Sequence, residues 1–188
     1  QASRVVARDA AVGPGTARGI GPPAPWRIQR AVPMSLSADP APLAGCLARH
    51  APGARRLLTA WSGMAARRLL HAGRRNGADW VMAIAQGTGA LQALREQLPA
   101  DRLLHLRQRA PQPDAAAALR QAAREGLRAD ALLLTAPDAI AAAPDVLDPG
   151  GLLLLTGAAQ AAAEHLNHGC EVLEATPSLL ALRPRQAA

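Results

Sequence analysis

From Arg56 onward the chain alternates short, unbroken apolar runs with longer stretches that repeat an apolar residue every three or four positions. The runs are Arg56–Ala60, Trp80–Ala85, Arg102–Leu106, Asp130–Thr135 and Leu152–Leu155. Each has the length of a strand and shows little polar alternation, which is how a strand buried on both faces reads. Between them lie helical stretches with recognisable ends. Met64–Arg75 stops at Asn76-Gly77, a C-cap pair. Thr88–Gln97 brings Leu91, Leu94 and Leu98 to one face before Pro99 closes it. Asp114 caps an alanine-rich helix that runs to about Gly126. Ala139–Leu147 is read as helical and leads into an Asp148-Pro149-Gly150-Gly151 turn. A shorter helix, Ala44–His50, precedes the first run and ends at Pro52-Gly53.

Strands regularly separated by helices mean βαβ units. The predicted fold is therefore α/β, a doubly wound, parallel, Rossmann-like sheet over residues 44–188 with its core at 54–157. The tail, 158–188, adds a helix and one or two last strands, Cys170–Leu173 and Leu179–Leu182. Residues 10–43 carry Gly13-Pro14-Gly15, Gly21-Pro22-Pro23, Pro25, Pro33, Pro40 and Pro42. Such density breaks regular structure, so 1–43 is an irregular remnant or linker in which Arg4–Ala7 could form one short strand.

Composition removes some chemistry. The apolar fraction is 49%, mostly Ala and Leu, and Trp26, Trp61 and Trp80 are the only aromatic residues. With no tyrosine and no lysine, neither a phenolic proton donor nor a Schiff-base lysine is available. The net charge of +7 favours anionic partners. Three Arg pairs stand out, Arg55-Arg56, Arg67-Arg68 and Arg74-Arg75, whose plainest explanation is a solvated helix face. Two distant cysteines, Cys46 and Cys170, make no disulfide framework and point to a reducing compartment. No apolar run approaches the roughly 20 residues of a membrane span. The expected location is cytoplasmic, or an organellar matrix if the Arg-rich, acid-poor residues 1–32 act as a transit peptide.

Two small-residue turns compete for a phosphate. In an open parallel sheet ligands lie beyond the carboxyl ends of the strands, where the unpaired amides and dipole of a helix start attract anions. The turn after the first strand, Ala60-Trp61-Ser62-Gly63-Met64-Ala65-Ala66, has small residues at its spaced positions and Met64 where a second glycine is usual. The turn after the second strand, Gln86-Gly87-Thr88-Gly89, stands where a dinucleotide fold holds the adenosine ribose. The first is the phosphate cradle and the second a ribose loop.

In order and spacing these segments resemble the nucleotide-binding half of the medium-chain dehydrogenase/reductase superfamily, in particular its quinone and enoyl reductases. The resemblance rests on Pro52 to Ala60, Asn76 to Val81, Leu91 to Arg95 with Ala100 to Arg102, Arg128 to Leu133, and Leu147 to Gly151 with Thr156-Gly157. It implies an oxidoreductase ancestry and NADP or NAD as cofactor, although binding could also have been lost. It places the pyrophosphate over Ala60, Ser62, Gly63, Met64, Ala65 and Ala66, and the ribose beside Gln86, Gly87 and Thr88. The nicotinamide falls near Thr135, Ala136 and Pro137 and near Thr156 and Gly157. Most of the family's substrate domain is absent, so a partner chain or adjacent domain would complete the site, and no catalytic residue is assigned.

Other classes stay open. A non-catalytic docking module of a larger assembly fits the missing domain and Met64. A methyltransferase using S-adenosylmethionine fits Asp148-Pro149-Gly150-Gly151-Leu152 and a closing hairpin, although no acid ends the second strand. Nucleic-acid binding by the Arg pairs ranks last, without aromatic platforms. His165, His168 and Cys170 lie close in sequence but lack a fourth ligand, so no metal site is assigned. Asp138 is read as the cap of its own helix.

Overall fold

The structure is a computed structural model that describes residues 41–60, 63–109, 114–163 and 169–185. The remnant or linker over 1–43 and its strand at Arg4–Ala7 therefore fall outside the described residues, apart from 41–43. In chain order the elements are α1 (Ala41–His50), β1 (Arg56–Ala60), α2 (Gly63–Asn76), β2 (Trp80–Gln86), α3 (Gly87–Gln97), β3 (Leu104–Arg109), α4 (Ala115–Arg124) and β4 (Ala129–Leu134). There follow a 3-10 helix (Pro137–Ala142), α5 (Ala143–Val146), β5 (Leu147–Leu155), α6 (Ala158–Ala163), β6 (Cys170–Thr176) and β7 (Leu179–Pro184).

The strands form one seven-stranded sheet in the order β3-β2-β1-β4-β5-β7-β6. Strands β1 to β5 are mutually parallel, as the apolar runs predict. β7 runs antiparallel to both of its neighbours.

Alternate residues of a strand face opposite sides of a sheet, and both sides here are apolar. Leu58, Leu132, Leu134, Leu153 and Leu155 pack with the alanines of α4, the 3-10 helix, α5 and α6. Leu57, Leu133, Leu152 and Leu154 pack on the other side with Leu43 and Leu47 of α1 and Leu69 and Leu70 of α2. Towards the β3 edge, Ala83 and Ala85 meet Leu91 and Leu94 of α3. Small Ala side chains on the helices let them settle close to leucine-rich strands, a shape match that compensates for the absence of Phe and Tyr.

Several boundaries differ from the sequence prediction, and three of the differences have a clear local reason. β3 begins at Leu104 because Asp101 draws Arg102 and Leu103 into a turn. Its carboxylate accepts from the Leu103 amide at 2.7 Å and its carbonyl from Leu104 at 3.1 Å. The helix expected over Ala139–Leu147 divides into a 3-10 turn and the short α5, where Pro144 cannot donate to an α-helical ladder. The expected turn Asp148–Gly151 is instead absorbed into β5 as an irregularity in its pairing with β4.

Ion pairs secure the amino ends of the central strands. Asp130 accepts from the Arg55 amide (2.8 Å), the Arg56 amide (2.7 Å) and the Arg56 guanidinium (2.8 Å), and Arg56 also holds Asp148. Elsewhere Arg74 pairs with Asp101, Arg109 with Glu125, and Arg120 with Asp145. The Arg pairs are thus more than a solvated face: Arg56 and Arg74 are spent on acids, and Arg68 is buried. Among the described residues no helix is long and apolar enough to cross a membrane.

Candidate functional site

All five parallel strands end on one edge, and the structure brings the predicted residues there. Ala60 ends β1, and Gly63, Met64, Ala65 and Ala66 form the first turn of α2. Gln86 ends β2, and Gly87 and Thr88 open α3. Thr135, Ala136 and Pro137 follow β4, while Thr156 and Gly157 follow β5. Ser62 lies outside the described residues.

Chain geometry explains why these segments turn where they do. β2 passes into α3 with no intervening loop because Gly87 takes a left-handed φ of 78°, which costs an L-residue strain. Gly157, at φ 60°, takes the left-handed conformation in the two-residue turn between β5 and α6. Thr156 is buried, and its amide donates to Leu134 at 3.1 Å, which keeps the β5 exit against β4. The Ala159 amide in turn donates to the Thr135 carbonyl at 3.2 Å.

Between the start of α2 and the flank of α3 lies a cavity of about 290 Å³ lined by Gly63, Ala85, Gln86, Ala90, Leu94 and Gln97, among others. Its size is at the low end of small-molecule sites, roughly 300–1,000 Å³. Its walls are mostly methyl and methylene groups, with the Gln86 and Gln97 amides as polar contributors. A Cβ added at Gly63 would collide with the Gln97 side-chain carbonyl and touch Leu94 at 3.4 Å, so Gln97 and Leu94 pack directly over the bare backbone of Gly63 at the cavity wall. Met64 is half exposed at the first turn of α2, which has no acidic residue to repel an anion. At the β3 side, Gln86 lies in register with Arg109, and the Gln108 amide donates to Thr88 Oγ1 at 3.1 Å.

Among the described residues, two carboxylates engage the start of α4 at this edge. Asp114 accepts from the Ala117 amide at 2.6 Å, as predicted for an N-cap. Asp138 accepts from the Ala115 amide at 2.9 Å. It therefore caps α4 and not its own helix, and it ties the β4 exit to the start of α4.

No protein-family model matches the chain, and no curated protein does. Solved structures do. The chain is similar to NSun6 from Pyrococcus horikoshii, solved with SFG, at a TM-score of 0.55 and 15% identity, covering 79% of this chain and 52% of that one. It is similar to SMU.776, provisionally assigned as a methyltransferase and complexed with SAH, at a TM-score of 0.54 and 12% identity, covering 77% and 49%. It is also similar to a hypothetical protein of Thermus thermophilus at a TM-score of 0.51 and 18% identity, covering 92% and 97%. The likeness is one of fold. The chain spans about half the length of the first two proteins.

These findings overturn the medium-chain dehydrogenase/reductase resemblance and the oxidoreductase function it implied, because the solved structures alike in fold include methyltransferases. NADP and NAD fall with it, since the ligands accompanying those structures are SAH and SFG. The physical reason lies in the tail. A parallel last strand needs a crossover connection of a dozen or more residues, and only Pro177 and Ser178 separate β6 from β7. They must pair antiparallel, and β7 inserts between β5 and β6. The nicotinamide assignment of Thr135–Pro137 and Thr156–Gly157 falls with NADP and NAD, while the place of these residues at the sheet edge stands.

Proposed function

We propose that this chain is an S-adenosylmethionine-dependent methyltransferase-like domain that holds the adenosyl end of its cofactor at the β1–β2 edge. The observation that carries the proposal is the sheet order, with β7 antiparallel between β5 and β6, joined to a cavity opening beside the carboxyl end of β2. The residues present fit the group in shape and polarity. Gly63, Ala85 and Ala90 offer small walls, and the amide of Gln86 can exchange hydrogen bonds with ribose hydroxyls. The start of α2 suits the carboxylate of the amino-acid end through its dipole and amides. When bound, S-adenosylmethionine supplies an electrophilic methyl group.

The chain's own contribution is binding and positioning. Asp114 and Asp138 cap α4, and neither is assigned a proton-accepting role. We infer that the acceptor wall comes from an adjacent segment or a partner chain, in keeping with the half-length span of the similar structures.

Thermal unfolding with SAH tests the site. A ligand at 100 times its Kd stabilises the folded state by about 2.7 kcal/mol, which is roughly 5–11 °C in Tm for a domain of this size. Gly63→Val fills the cavity mouth and should remove that shift. Gln86→Glu should strengthen binding about fivefold, because a charge-assisted hydrogen bond to ribose exceeds a neutral one by about 1 kcal/mol. Gly87 cannot serve as the test position, since its positive φ makes any side chain there disruptive with or without ligand. An undiminished shift in Gly63→Val would place the ligand elsewhere.

A further inference from the structure

We propose that Cys46, His50 and Glu174 form a binding site for one divalent cation of borderline softness, such as zinc, at the β6 edge of the sheet. Cys46 and His50 are four residues apart on α1 and so share a helix face. β6 presents Glu174 to that face, and His50 Nε2 stands 3.1 Å from its carboxylate. The ligand atoms of the three residues all lie within 4.8 Å of one another. Bonds of about 2.0–2.3 Å to sulfur, nitrogen and oxygen around a tetrahedral ion put neighbouring ligand atoms roughly 3.3–3.7 Å apart. The cluster needs only a small contraction to reach that spacing.

The donor set is thiolate, imidazole and carboxylate, with solvent as the fourth ligand, an arrangement zinc accepts. Cys46 is fully buried, while the other two side chains keep a path to solvent at 23% and 19% exposure. Burial, reinforced by the Glu174 charge, pushes the Cys46 thiol up to about 12. Without a cation the thiol is therefore an inert core group, and on binding a cation its proton leaves to solvent. Arg183 donates to the His50 carbonyl at 3.0 Å and so steadies the end of α1 that carries the imidazole.

Arg49 marks the charge this site requires. It donates to both Glu174 oxygens at 2.7 Å and, with His50, holds that carboxyl below its usual range. The Arg49 side chain is 57% exposed, and exposed ion pairs contribute little. A dication can displace it from Glu174 and let it swing into solvent. Arg49 is thus a competitor for the carboxylate, which gives a test that a purely structural cluster would fail.

Cobalt(II) titration of the full chain carrying Cys170→Ser, which removes the second thiol, reads the site directly. One Co²⁺ per chain should bind with a thiolate-to-cobalt charge-transfer band. Cys46→Ser should abolish the band, and His50→Ala and Glu174→Gln should each weaken binding at least tenfold. Arg49→Gln should tighten it severalfold. If Cys46→Ser fails to fold by circular dichroism, the paired responses of Glu174→Gln and Arg49→Gln decide. A folded Cys170→Ser chain with no thiolate band at millimolar Co²⁺, or a band that survives in folded Cys46→Ser, overturns the proposal.

Discussion

Leu133→Ala is expected to destabilise the fold by about 2–5 kcal/mol, the range for removing a fully buried leucine and leaving a cavity. Leu133 is 0% exposed on the central strand β4, in register with Thr59 of β1 and Leu154 of β5. Its carbonyl also accepts the buried Thr59 hydroxyl at 2.8 Å, so the site has little freedom to collapse around a smaller side chain. Domains have roughly 5–15 kcal/mol in total, and the loss should lower Tm by about 4–20 °C. Val172 on the edge strand β6 is 49% exposed, and Val172→Ala should change stability by under about 0.5 kcal/mol. Comparable losses at the two positions, measured by denaturant unfolding, would contradict the placement of β4 at the centre of the sheet.

Asp130→Ala should cost about 2–4 kcal/mol at neutral pH, because it strips the acceptor from two backbone amides and one guanidinium at a partly buried position. The effect carries a pH signature. Burial opposes ionisation of Asp130, but hydrogen bonds from the Arg56 guanidinium and from the Arg56 and Arg55 amides outweigh it and hold the carboxyl below the usual aspartate range. A depressed pKa contributes stability that is fully present above the unfolded value, about 3.9, and is lost as pH falls through the folded one. Wild type should therefore lose stability on acidification below about pH 4, and Asp130→Ala should lose less over the same window. Parallel acid limbs for the two proteins would remove Asp130 from the account.

Much of the fold was legible in the sequence, and the missing parts have physical causes. β1, β2, β4 and β5 announced themselves as unbroken apolar runs because both their faces are covered. β3 is an edge strand whose second half, Arg107-Gln108-Arg109, is polar, so its end looked like loop. The tail was read as one or two strands with no direction assigned, and the structure makes them an antiparallel hairpin. The two-residue spacing at Pro177-Ser178 implies a hairpin, but the insertion of β7 beside β5 is a non-local property that the spacing alone does not reveal. The candidate site was legible as a set of strand ends, since each strand–helix junction reaches the same edge. The roles of Asp138 and of Cys46, His50 and Glu174 were not, because they depend on contacts between residues as far apart as His50 and Glu174.

Isothermal titration of the purified chain with SAH and, separately, with NADPH tests the central claim most directly. The account predicts saturable, one-to-one heat with SAH that Gly63→Val eliminates, and no heat with NADPH at the same concentrations. One-to-one binding of NADPH that Gly63→Val abolishes, together with silence towards SAH, would contradict it.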